Sequence, residues 1–110
     1  MQGFYAMYYT GISGVGHAVF VLNDGKITGA DSTGGILDGN YQVDGERVKI
    51  EVTLSVPGGT TLVTGQTLAD TLSQTICAEL ATSFADGQPV LIQTPMGPVN
   101  VIFKKLRGLG

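Results

Sequence analysis

The sequence has no tryptophan, one histidine, one cysteine and six basic residues among its 110. Each shortage closes a class of function. A single cysteine excludes an internal disulfide framework and a cysteine-rich zinc site. A single histidine, His17, leaves one candidate proton acceptor for a Ser-His-Asp arrangement. Its same-face neighbours would be Val15 and Val19, the setting of a structural side chain. Six Lys and Arg against nine acids give a net charge of -3. Non-specific nucleic-acid binding rests on several phosphate contacts from basic residues, so no direct nucleic-acid partner is expected. Charged residues make up 14% of the chain, below the usual share of about 25%. No apolar run reaches the roughly 18 residues of a membrane-spanning helix, so no membrane partner is expected. The stretch from Met1 to Thr10 lacks a basic region and a small-residue cleavage site, so no secretory signal is expected. With a free thiol, this points to a cytoplasmic location.

Glycine is abundant, 17 residues, with 4 prolines and no collagen-like period. Asp24-Gly25, Asp38-Gly39, Asp44-Gly45, Gly58-Gly59 and Asp86-Gly87 are turn dipeptides. Between them lie runs of Val, Ile, Thr, Phe and Tyr. Short strands at this spacing predict an all-β sandwich or barrel. Strands are predicted at 3–10, 15–23, 26–31, 36–43, 46–56, 60–68, 72–80, 90–94 and 99–106. The segment 81–88 is the one candidate helical turn. Eight or nine antiparallel strands with short loops favour a small up-and-down β-barrel as a single domain over residues 1–110. Closure removes strand edges that would otherwise aggregate.

The clearest strand is 46–56. Val48, Ile50, Val52 and Leu54 alternate with Arg47, Lys49, Glu51 and Thr53. Period 2 places the first set inside the barrel and the second in water. Two other strands are apolar on both faces, Phe4-Tyr5-Ala6-Met7-Tyr8-Tyr9 and Ala18-Val19-Phe20-Val21-Leu22. One barrel interior cannot absorb both faces, and Tyr, Phe and Met are enriched at interfaces. The expectation is a homodimer through the outer face of these strands, around Tyr5, Met7, Tyr9, Phe20 and Leu22, with the strands specified and the parity of the face left open; coverage by loops or by the 81–84 turn is the alternative.

Catalytic chemistry finds little support. Cys77, in Thr-Ile-Cys-Ala-Glu-Leu, reads as an inert packed thiol, and no residue suggests that it pairs with His17. The nine acids are dispersed, mostly beside turn glycines. Asp31 and Asp38 bracket the Ser32-Thr33-Gly34-Gly35 loop, where capping and turn roles are the expectation ahead of a pair facing each other across it. No histidine or acid spacing suits a transition metal. Gly11-Ile12-Ser13-Gly14-Val15-Gly16 lacks a P-loop lysine and opens a strand, so it reads as a hairpin connection. No enzyme activity, cofactor or metal is expected.

Four segments carry a family likeness: Gly3-Phe4-Tyr5, Asp24-Gly25-Lys26-Ile27-Thr28-Gly29-Ala30-Asp31, Asp38-Gly39-Asn40-Tyr41 and Pro98-Val99-Asn100-Val101. Together they resemble the GrlR-type family, small negative regulators associated with type III secretion genes. The resemblance covers most of the first 65 residues and, more loosely, the last strand pair. It implies an eight-stranded antiparallel barrel, lipocalin-like in outline, that forms a dimer. It also implies binding to a transcriptional activator protein rather than to DNA. In that family an exposed Glu-Asp-Glu-Asp tract in a strand connection makes the contact. The matching connection here reads Asp44-Gly45-Glu46-Arg47, with two acids kept. The expected function is therefore a non-catalytic module that sequesters a partner through Asp44, Glu46 and Arg47. The alternative is a lipocalin-like carrier of a small apolar ligand, since eight-stranded barrels hold at most one small molecule.

Overall fold

Alternation in β-rich runs builds the whole molecule. The computed structural model describes residues 1–12 and 14–109. Ser13, within the predicted hairpin connection, and Gly110 lie outside the described residues. Eight strands follow in chain order: β1 (Gly3–Gly11), β2 (Gly14–Asn23), β3 (Lys26–Asp31), β4 (Ile36–Asp44), β5 (Arg47–Val56), β6 (Leu72–Ala81), β7 (Asp86–Thr94) and β8 (Gly97–Arg107). They form one antiparallel sheet in the order β6-β5-β4-β3-β2-β1-β8-β7. The sheet curls until β7 lies beside β6, giving a nearly closed all-β barrel of 40 × 22 × 21 Å. No β6–β7 ladder forms among the described residues, so the two edge strands meet at a seam.

Turn chemistry sets the registers. Asp24 and Gly25 both take positive φ, 52° and 79°, the pair of values a two-residue type I′ hairpin demands. The β4–β5 hairpin differs from expectation by one residue. Asp44 pairs with Arg47, so the loop is Gly45-Glu46, not Asp44-Gly45. Positive φ at Gly45 alone, 63°, suits a type II′ turn with glycine first.

Two further segments depart from the sequence reading. Residues 60–68 form no barrel strand. They fold on themselves: Leu68 N–H donates to Thr60 O at 2.9 Å and Leu62 N–H to Gln66 O at 2.7 Å, with a single bridge Thr61–Thr67. This β-forming stretch pairs with itself instead of joining the β6 or β7 edge. Residues 81–88 hold no helix. Thr82 to Ala85 form the β6–β7 turn, with Phe84 N–H donating to Ala81 O at 3.0 Å. Strand β7 then starts at Asp86, with a register shift between Asp86 and Pro89. Proline, which has no N–H to donate, suits such an edge bulge.

Candidate functional site

The barrel interior is filled at one end and hollow at the other. At the filled end, Tyr5, Phe20, Phe84 and Phe103 pack as an aromatic cluster. Tyr5 stacks on Phe20 at 5.3 Å and on Phe84 at 5.7 Å, and Phe103 meets Phe84 edge-on at 5.1 Å. Phe84 comes from the β6–β7 turn and is 4% exposed, so that turn plugs the end. Tyr5 O–H donates to Met1 O at 2.6 Å, which ties the N-terminus across it. Burial pushes the Tyr5 phenol above its ordinary pKa, and Tyr41 adds to the rise.

Toward the other end lies a cavity of about 210 Å³. Its apolar wall includes Leu22, Ile50, Leu54, Ile76 and Ile92. Residues 60–64 also line it, which makes the small hairpin between β5 and β6 a lid over the barrel mouth. Val63 packs against the core, and Gln66 Nε2 donates to Met96 O at 3.1 Å, tying the lid to the β7–β8 turn. Polar groups on the wall are few. Tyr9 O–H donates to Asp31 Oδ2 at 3.2 Å. Asp31 Oδ1 accepts from Thr33 N at 3.0 Å, Thr33 Oγ1 at 2.7 Å and Gly35 N at 2.8 Å. Burial chiefly, then the Asp31 charge and hydrogen bond, hold the Tyr9 phenol well above its ordinary value. Gln74 also lines the cavity; its buried Oε1 has no protein partner. Among the described residues, no Lys, Arg or His lines the cavity.

Val48, Ile50, Val52 and Leu54 all face this interior, Val48 fully buried and the other three on the cavity wall. The β5 side chains do not fill the space; a hollow remains beside them. The five residues expected at an outer dimer face point the other way. Tyr5, Phe20 and Leu22 belong to the buried core, and Met7 and Tyr9 line the cavity. With both faces of β1 apolar, alternation carried no phase. Pairing supplies it: Tyr5 sits opposite Phe20 and Tyr9 opposite Gly16. The outward set is Phe4 and Tyr8 on β1, Val19 on β2 and Ile102 on β8, all exposed. One signal in β2 marked this: His17 shares its parity with Val15, Val19 and Val21, so that face looks outward.

Asp44, Glu46 and Arg47 lie exposed at the β4–β5 hairpin. Arg47 reaches across to β6, its Nε 3.5 Å from Glu79 Oε1 and its Nη2 donating to Glu79 O at 3.1 Å. Asp44 and Glu46 stay in solvent. Cys77 is exposed on the outer face of β6 rather than packed, because Ile76, Ala78 and Leu80 take the inward phase. His17 is exposed on β2, and β3, β4 and β5 separate it from Cys77, so the two form no pair. Asp31 and Asp38 do not face each other: Asp31 lies at the cavity rim and Asp38 on the outer face of β4.

Sequence reasoning missed Gln74, Phe84 and the lid. Gln74 had a signal: it occupies the inward phase of Leu72, Ile76, Ala78 and Leu80, the one amide in an otherwise apolar row. No family model, curated protein or solved structure matches the chain.

Proposed function

We propose that this chain is a non-catalytic binding protein whose barrel takes one small, mostly apolar molecule. The observation that carries this reading is the cavity of about 210 Å³ beneath the 60–68 lid, walled by aliphatic side chains. Protein interiors normally close to crystal-like density. A hollow lined by Ile, Leu and Val forfeits dispersion contacts that a ligand restores. Small-molecule sites have this make-up, an apolar concavity with a few placed polar groups. Here those groups are the Tyr9–Asp31 pair and Gln74. Native mass spectrometry of protein purified from its own host tests the reading. A retained small apolar mass supports it. Protein that is always free of ligand and gains none from an apolar extract counts against it.

A second reading rests on the outside. Phe4, Tyr8, Val19 and Ile102 form an exposed apolar face centred on β1, where neighbouring strands bring them together: Tyr8 pairs with Ile102, and Ala6 between Phe4 and Tyr8 pairs with Val19. Such a face favours a homodimer. With the GrlR-type resemblance, it supports a negative regulator that sequesters a transcriptional activator, with Asp44 and Glu46 free to meet a basic partner. Pull-down from host lysate with wild-type protein and a variant carrying Asp44→Lys and Glu46→Lys tests that contact. Loss of a basic partner in the variant supports it; identical partner sets remove the hairpin as the site.

A further inference from the structure

We infer that the molecule held in the barrel is a neutral medium-chain compound with a hydroxyl-type head group, and that Gln74 reads the head. This rests on the reading of the cavity as a ligand site and specifies its ligand. Size comes first. An apolar cavity of about 150 Å³ holds one benzene ring. On that scale, 210 Å³ takes about eight or nine non-hydrogen atoms. A long-chain lipid or a larger cofactor would have to project from the barrel mouth into water.

Charge comes second. Asp31 is on the wall, and among the described residues no Lys, Arg or His is there to meet an anion. A carboxylate would lose its hydration and gain repulsion instead of a partner. A fatty-acid anion therefore does not fit, although its tail would.

Hydrogen bonding comes third. Most polar side chains around the cavity have partners within the protein. Tyr9 and Thr33 both donate to Asp31, Thr61 bonds Thr67, Thr64 bonds Gln66, and Thr94 donates to Gly97 O. Gln74 is different. Its Oε1 is, among the described residues, the buried side-chain polar atom without a hydrogen-bond partner. A buried acceptor left unmade is costly, so a ligand that donates to it gains more than the bond alone. The same amide carries N–H groups, and a hydroxyl both donates and accepts. Gln74 also sits on β6, an edge strand that forms no ladder with β7 among the described residues.

The test compares three probes of similar length: n-octanol, heptyl methyl ether and octanoate. Calorimetric or NMR titration of the full chain at neutral pH reads their affinities. Octanol should bind about tenfold tighter than the ether, which cannot donate, and octanoate should bind more weakly than both. Gln74→Met keeps the volume and removes the amide. It should still bind the ether, which shows that the variant is folded, and should bring octanol and ether to within about twofold of each other. The wild-type ratio stands by itself should the variant fail to fold. Equal binding of octanol and ether to the wild type overturns the assignment of Gln74 while leaving the cavity a ligand site. Tight binding of octanoate overturns the neutral head group. Failure of all three probes to bind removes the ligand reading and this inference together.

Discussion

Tyr9 joins wall, rim and cavity through one hydrogen bond to Asp31, and folding holds its phenol well above its ordinary pKa. Folding raises the Tyr9 and Tyr5 pKa values from the ordinary 10.0, burial being the largest cause for both. The folded chain therefore keeps these protons above pH 10 while the unfolded chain releases them. Fewer protons on the unfolded state mean that stability, whole below pH 10, falls as pH rises beyond it. Denaturant titrations on both sides of pH 10 should show that fall. Ultraviolet titration of phenolate should show two tyrosines ionising late. Asp31→Asn should move one of them part of the way back and no further, because burial remains. A phenol unmoved by Asp31→Asn would contradict the bond. Gly16 belongs to the same arrangement: a Cβ there would lie 2.5 Å from Tyr9 Cζ, so Gly16→Ala displaces the ring. At this scale the sequence was partly legible. Val48, Ile50, Val52 and Leu54 announced their inward face because charged residues alternate with them. Tyr5, Met7 and Tyr9 did not, because Phe4, Ala6 and Tyr8 between them are also apolar. Burial in β1 is decided by what β2 and β8 present, which only pairing reveals.

The strands were legible as elements because Gly and Asp punctuate them and β-branched residues fill them. The exceptions are informative. The run 60–68 has strand composition but takes its hydrogen bonds from itself. Local composition cannot show which partner a strand-forming run will pair with. The 81–88 segment looked like a short helix, yet Phe84 turns it into a plug. Within elements, burial makes the cost of truncation uneven. Leu22 is 2% exposed, so Leu22→Ala should cost about 3 to 5 kcal/mol. Leu54, on the same cavity wall, is only partly buried, and Leu54→Ala should cost distinctly less. Thr53→Ala loses an outer-face bond to Thr75 Oγ1 at 3.1 Å and should cost about 0.5 kcal/mol. Equal losses at Leu22 and Leu54 by denaturant titration would mean that Leu54 packs as fully as Leu22. For the lid, Gln66→Ala removes the tie to Met96. Hydrogen exchange at the Leu62 and Leu68 amides should then speed up while β5 amides hold their protection. Unchanged exchange at both would show that packing of Val63, not the Gln66 bond, holds the lid.

At the scale of the molecule, the barrel presents two apolar surfaces, one inside and one outside. The outside face, around Tyr8 and Val19, is more than half exposed at both residues, 54% and 55%. If it joins two copies, Val19→Glu should shift sedimentation from dimer to monomer without loss of fold, and a monomeric wild type would refute the dimer. The inside surface is the central claim. Length and composition indicated a barrel, but whether its interior is full is a matter of summed volumes across eight strands, which no single strand discloses. The most direct measurement is a methyl-resolved NMR titration of the full chain with n-octanol. Binding in the barrel should give saturable shifts at Ile50, Leu54, Ile76 and Ile92, with the outer methyls of Val19 and Ile102 unmoved. Shifts confined to Val19 and Ile102, or no saturable shift within the barrel, would contradict it.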